Sequence, residues 1–236
     1  MHFNINVTYN SNYMYIIVVA NGQFPSSSAL LNRFSSADSI VCCDGAFEKY
    51  FCWCRQHSFY SKEVIVVGDG DSLPSDILDE ARTQGQEVCR VVVSEQESND
   101  LSKAVHFALQ QIEGMDDVKV DILGATGLRE DHALGNISLL AYYAQEFPQV
   151  EFRMLSDYGY FQPVNGIRQF DSFPGQQVSI FSFSPEVPVC VSGLRYPIEN
   201  RHLNWLWEGT LNESLGTTFK VSGGTLVVYQ QGIPIN

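Results

Sequence analysis

Six short apolar runs alternate with helix-patterned stretches through the first two-thirds of the chain, and this alternation restricts the architecture more than any other feature. The runs occupy 15–20 (YIIVVA), 39–43 (SIVCC), 63–68 (EVIVVG), 87–93 (EVCRVVV), 119–124 (KVDILG) and 150–155 (VEFRML). Such β-branched runs suit strands buried on both faces of a parallel sheet. Helical patterns lie between them at 27–34, 46–56, 75–84, 100–111 and 131–146. Strand, helix, strand at this spacing predicts an α/β domain with a doubly wound, mostly parallel sheet.

Near Asp157 the texture changes. Turn residues dominate from there: Pro163-Val164-Asn165-Gly166, Pro174-Gly175, Pro185, Ser192-Gly193 and Ser222-Gly223-Gly224. Apolar segments at 177–183, 188–191, 217–221 and 225–229 sit between them and read as short antiparallel strands. The chain is therefore expected to comprise an α/β domain at 1–156 and a small all-β sandwich or barrel at 157–236. At 236 residues with 44% apolar and 17% charged side chains, it has ample material for such cores.

Twenty-seven acidic against 14 basic residues leave a formal charge of −13. A field of that sign disfavours nucleic acid and anionic membranes as partners. It also repels free ATP, so a nucleotide site here needs a cation or a local nest of basic groups. No run reaches the roughly 18–20 apolar residues of a membrane span, and MHFNINVTYNSNYMY lacks the pattern of an export signal. The six cysteines form no CxxC pair. A cytoplasmic protein with reduced thiols is expected.

Ligands of open α/β sheets bind beyond the carboxyl ends of the strands, and here those segments carry acid and glycine. Asp44-Gly45-Ala46 follows the second run, Asp69-Gly70-Asp71-Ser72 the third, SEQESND ending at Asp100 the fourth, and 125–132 (ATGLREDH) the fifth. Asp44, Asp69, Asp71, Asp100 and Asp131 are thereby expected on one edge. Clustered carboxylates are costly without a cation among them, and Mg²⁺ takes one or two carboxylates with water and substrate phosphates. In an extended segment Asp69 and Asp71 share a face, their Cα atoms about 6–7 Å apart. Lys103, one turn beyond Asp100 on a helix capped by Ser98 or Asn99, is placed to meet a phosphate. Gly124 and Gly127 open a loop that presents N–H groups and the Arg129 guanidinium to phosphate oxygens. The loop is neither a GxxxxGK[ST] nor a GxGxxG motif, and the Asp69 turn is no EF-hand, since Leu73 and Pro74 stand where an oxygen ligand and glycine belong. No HExxH or GxSxG is present.

Taken in order, these segments resemble the thiamin pyrophosphokinase family. Cys43-Asp44-Gly45-Ala46 matches its early aspartate-glycine turn. Gly68-Asp69-Gly70-Asp71-Ser72 matches GDxDS, and Asn99-Asp100-Leu101-Ser102-Lys103-Ala104-Val105 resembles its TDxxKAL helix start. Residues 124–132, followed by Asn136, complete GxxGxRxDH. Residues 193–200 (GLRYPIEN) are similar to GLxYPxxN and 209–213 (GTLNE) to GTSNE. Three positions depart: Gly70 replaces an aromatic residue, Asn99 a threonine, and Leu211 the serine of GTSNE.

The resemblance implies transfer of pyrophosphate from ATP to the hydroxyl of thiamin, with AMP released. It implies Mg²⁺ on Asp69, Asp71 and Asp100, which also serve as the catalytic set. Lys103, Gly124, Gly127, Arg129 and His132 are implied at ATP and its phosphates, with Asp44 and Asp131 lining the site and either one orienting the acceptor hydroxyl. Tyr196, with Ser192 and Asn212 as polar neighbours, is implied in thiamin binding, and a homodimer is expected. Two other readings fit the same carboxylates: pyrophosphoryl transfer to a different acceptor such as a hydroxymethylpterin, and a sensor that binds thiamin or nucleotide without turnover.

Overall fold

The computed structural model describes residues 13–60, 63–71, 73–110, 112, 115 and 117–234. Ser72 of the GDxDS motif and the N-terminal stretch before Tyr13 lie outside the described residues. The chain divides into two compact units, Met1–Leu128 with Gln149–Glu151, and Arg129–Pro148 with Phe152–Asn236.

In the first unit the strands are β1 (Tyr13–Val19), β2 (Ser39–Cys43), β3 (Val64–Gly68), β4 (Val88–Val92) and β5 (Asp117–Leu123), interleaved with helices α1 (Ser28–Leu31), α2 (Phe47–His57), α3 (Ser75–Thr83) and α4 (Asp100–Gln110). All five strands are parallel, in the order β5-β1-β2-β3-β4. Every residue of β3 is buried, whereas β4 at the edge buries only Val91 fully. From β4 the chain returns across the sheet to reach β5, and α4 packs on β3, β2 and β1 along the way. Right-handed crossovers place that returning helix on the face opposite the outgoing ones. The doubly wound parallel sheet expected from the sequence is thus present, with its strand order reversing between β1 and β5.

The second unit contains α5 (Glu130–Glu146), β6 (Val150–Ser156, whose first two residues count with the first unit), β7 (Gly159–Asp171), β8 (Gln177–Ser182), β9 (Val189–Ser192), β10 (Ile198–Arg201), β11 (Asn212–Glu213) and β12 (Thr218–Gln231). It is the β-rich domain the turn-laden sequence predicts. Along one edge β12 pairs antiparallel with β7; along the other it pairs with β9 through Lys220–Ser222 and with β8 through Leu226–Gln230. Val164, Phe170, Val178, Ile180, Val191, Phe219, Val221 and Leu226 fill the core.

Two details differ from expectation. The segments at 217–221 and 225–229 are one strand, not two, because Ser222-Gly223-Gly224 forms a bulge opposite Gly166 rather than a turn. Pro163 to Gly166, read as a turn, likewise lies inside β7. Its pairing with β6 runs only through Gly159–Phe161, short of Pro163, so the missing N–H breaks no bond of that ladder. Helix α5 packs on β7 and β12. The compact unit therefore begins at Arg129, ahead of the change in sequence texture near Asp157.

Candidate active site

Parallel pairing brings the carboxyl ends of β2, β3 and β4 side by side, and the acidic segments follow from there. Asp44 starts a one-turn 3-10 helix, Asp44–Ala46, immediately after β2. It is 1% exposed. Its Oδ2 accepts the Gly70 N–H at 2.9 Å, while its Oδ1 is buried with no hydrogen-bond partner among the described residues. A side chain at Gly68 would meet the Asp44 side chain at 2.4 Å, so glycine there allows the approach.

Beyond Gly68 the chain folds over itself. Asp69 Oδ1 accepts the Asp71 N–H at 3.1 Å and its Oδ2 accepts Gln96 Nε2 at 3.4 Å. The Asp71 N–H, then Gln96, and the Lys103 charge hold the Asp69 carboxyl below the usual carboxylate range. Asp71 itself is exposed.

Asn99 caps α4, its Oδ1 accepting the Ser102 N–H at 2.9 Å, in agreement with one of the two caps expected. The cap sets Asp100 and Lys103 on the first turn, 3.6 Å apart. The Lys103 side chain is only 3% exposed, and its charge also acts on Asp69 and Glu95. Burial, with the Asp100 and Asp44 carboxylates adding to it, pushes the Cys43 thiol far up, which leaves it neutral and inert. Asp44, Asp69 and Asp100 thus share one neighbourhood with a buried ammonium among them.

The second part of the edge lies at the switch point, at the carboxyl ends of β1 and β5, which pair along their whole length. The loops that follow them interlock: Ala20 N–H donates to Leu123 O, Gly22 N–H to Gly124 O at 2.6 Å, and Gln23 N–H to Thr126 O at 2.8 Å. Gly124 has φ +67°, and a Cβ there would lie 2.5 Å from Ala20 O. Gly127 abuts the Gln23 side chain. Lys49 of α2 clamps the first loop, donating to Asn21 O and Gly22 O at 2.9 Å each. Burial draws its ammonium below the usual lysine range, against the opposing charge of Glu48. Neither Asn21-Gly22 nor Lys49 was singled out from the sequence. The signal available was an Asn-Gly pair directly after the first strand, on the ligand edge.

In the second unit, Arg129 and Asp131 form a bidentate ion pair, Nε–Oδ1 3.1 Å and Nη2–Oδ2 2.6 Å, with both side chains exposed. Each holds the other charged: the arginine pKa is raised, the aspartate pKa lowered. The backbone N–H of exposed His132 donates to Asp131 Oδ1. Tyr196 presents an exposed ring, and Ser192 ends β9, also exposed. Asn212 is placed differently from a free polar neighbour. Buried, it accepts the Tyr196 and Glu213 N–H groups and donates to Tyr196 O at 2.7 Å, so its amide braces the backbone. Leu211 has φ +60° and is 82% exposed. Nearby in sequence, the Glu208 carboxylate ties Asn204 N–H, Trp205 N–H and Arg201 together, and Trp205 and Trp207 stand exposed.

A family model described as the thiamin pyrophosphokinase catalytic domain matches residues 30–152, and one for the thiamin pyrophosphokinase substrate-binding domain matches 159–229. The chain belongs to the thiamin pyrophosphokinase family. Thiamine pyrophosphokinase 1 of Oryza sativa subsp. japonica is 25% identical over 208 residues, covering 81% of this chain and 76% of that protein. The thiamin pyrophosphokinase structures from Candida albicans and yeast share the fold, with TM-scores of 0.73 and 0.75 at 16% and 14% identity. They cover 95% and 94% of this chain, and 95% and 87% of their own. The catalytic-domain match contains the acidic edge and the loop after β5, while the 20–23 loop interlocked with it lies ahead of the matched residues; the substrate-binding match contains Tyr196, Ser192 and Asn212.

Among the described residues no three His, Cys, Asp or Glu side chains form a ready-made metal cluster. Mg²⁺ does not require one, since it takes one or two carboxylates and completes its shell with phosphate oxygens and water. The unpartnered Asp44 Oδ1, buried against the Asp69-Gly70-Asp71 turn, is the oxygen that fits such a cation, directly or through water.

Proposed function

We propose that the chain transfers the pyrophosphoryl group of Mg·ATP to the hydroxyethyl oxygen of thiamin, giving thiamin diphosphate and AMP. The new bond joins the thiamin oxygen to the β-phosphorus, and the bond from the β-phosphorus to the oxygen bridging to the α-phosphate breaks. AMP leaves with that oxygen, and the hydroxyl proton passes to a carboxylate or to water. The observation that carries this reading is Asp44: a buried carboxylate with one oxygen on the Asp69-Gly70-Asp71 turn and the other unpartnered.

Asp69, Asp71 and Asp100 would hold the Mg²⁺, with Asp44 Oδ1 as a further oxygen for it directly or through water; bound there, the ion would neutralise the phosphates and polarise the β-phosphorus. Lys103, buried beside Asp100, supplies a fixed positive charge for phosphate oxygens at a helix N-terminus. Gly124 and Gly127 let backbone approach the phosphates. Arg129 is assigned to phosphate and Asp131 to orienting it, from their place in the motif and their bidentate pair; His132 lines the same segment. Tyr196, braced by Asn212, offers its ring to the thiamin heterocycle, with Ser192 as a polar neighbour; a cationic thiazolium suits an aromatic face.

We further infer a cytoplasmic homodimer. The exposed Trp205, Leu206, Trp207 and Leu211 supply apolar surface of the kind that associates, and among the described residues no helix is long and apolar enough to cross a membrane.

The test is to supply purified protein with Mg·ATP and thiamin, or with hydroxymethylpterin, and to follow products by phosphorus NMR. AMP and thiamin diphosphate in equal amounts are expected. ADP would indicate an ordinary kinase, turnover only with the pterin another acceptor, and binding without turnover a sensor.

A further inference from the structure

We propose that Arg90 is a positioning residue for the Asp69-Gly70-Asp71 turn, holding the carbonyl side of the same peptide segment whose amide side Asp44 holds. The proposal rests on the reading of that turn as the Mg·ATP site. Arg90 lies on β4, the edge strand, opposite Val66 of β3. Its Nη2 donates to Gly70 O at 3.1 Å. From the other direction Asp44 Oδ2 accepts Gly70 N–H at 2.9 Å. Gly70 is thus gripped through both of its backbone polar groups by side chains of opposite charge, Arg90 on strand β4 and Asp44 at the start of the 3-10 turn that follows β2.

Geometry explains why the grip involves glycine. Gly70 has φ +96°, a conformation that other residues adopt at a cost. A Cβ there would lie 2.6 Å from Arg90 Nη2. A side chain at position 70 and the Arg90 guanidinium therefore compete for one space. Where the family motif carries an aromatic residue, this chain carries glycine, and the arginine occupies the volume. Bonds to Gly70 fix the residue that separates Asp69 from Asp71, and so fix how the two carboxylates face one another. Lysine would reproduce the charge without the planar fork that reaches a carbonyl at a set angle. Arg90 acts through Gly70, not on the reacting atoms.

Arg90→Ala and Arg90→Lys are the tests, read in two independent ways. In ligand-free protein, amide hydrogen exchange across 67–71 is expected to rise about fivefold in Arg90→Ala, the worth of one hydrogen bond, and to be partly restored in Arg90→Lys. The Mn²⁺ concentration that half-saturates the protein in the presence of α,β-methylene ATP, read by electron paramagnetic resonance, should rise by a similar factor while the KM for thiamin is unchanged. Unaltered exchange and unaltered Mn²⁺ saturation in Arg90→Ala would overturn the proposal. A wild-type protein that makes no AMP would defeat the functional reading instead, and the exchange measurement would still decide whether Arg90 holds the turn.

Discussion

The two ends of this chain prepare for a ligand in opposite ways. On the acidic edge of the first unit two of the charged side chains are buried beneath the more exposed Asp69, Asp71 and Asp100, and the backbone is crowded. Asp44 and Lys103 are sequestered, and the glycines at 22, 68 and 124 stand where any Cβ would strike a neighbour. In the 193–215 region of the second unit the large side chains of Tyr196, Trp205, Trp207, Leu211 and Leu215 are exposed, while buried Asn212 is engaged by backbone and Glu208 ties its own loop. The first arrangement suits a ligand whose charge must be met by fixed groups at set distances. The second suits a flat, partly apolar ligand, or another protein surface, that is held by area. Phosphoryl transfer depends on positioning and charge neutralisation, so the proposed function places its chemistry on the first region.

Four changes would break or sharpen that contrast. The largest effect is expected from Asp44→Asn. Turnover should fall about a hundredfold, as when one preorganised electrostatic partner is removed, while the melting temperature holds or rises, because a buried carboxylate with an unpartnered oxygen is costly. A lower melting temperature with turnover retained would make Asp44 structural. Next comes Gly124→Ala, which combines a left-handed backbone with a clash against Ala20 O. A loss of about 2–3 kcal/mol in urea unfolding is expected, and a neutral result would mean the interlocked loops are not tight.

Tyr196→Ala should be milder, raising the KM for thiamin about fivefold with the KM for Mg·ATP unchanged, as suits an aromatic face on a cation. Equal shifts in both constants would remove the division of labour. The smallest effect belongs to Glu208→Gln. The Trp205 N–H first, then Arg201 and the Asn204 N–H, hold the Glu208 carboxyl below its ordinary range. A lowered folded-state pKa gives stability that is present above the unfolded value and lost as pH falls through the folded one. Wild type and variant should therefore differ slightly in thermal melting at neutral pH and converge in acid below the carboxylate range.

Much of the first region was legible in advance because its signals are local. A strand covered on both faces reads as an unbroken apolar run, as at Val64–Gly68, and the acids that matter follow each run directly in sequence. Asn99 was recognisable as a cap for the same reason. What escaped notice depended on distant pairings. Nothing near Arg90 or Lys49 indicates that each donates to a backbone carbonyl many residues away. The β-rich region was harder still. Ser222-Gly223-Gly224 and Pro163 to Gly166 carry turn chemistry, yet pairing between β7 and β12 absorbs both into long strands. Asn212 looked like a ligand contact because a buried brace and an exposed donor have the same one-letter code.

The claim on which the rest depends is that the Asp69-Gly70-Asp71 turn holds the divalent ion of the nucleotide complex. Its most direct test is an electron paramagnetic resonance titration of Mn²⁺ into wild type and Asp71→Asn, each saturated with α,β-methylene ATP. One bound ion per chain is expected in wild type and none in the variant over the same concentrations, with both proteins unfolding at the same temperature. Equal Mn²⁺ binding by the two would contradict it.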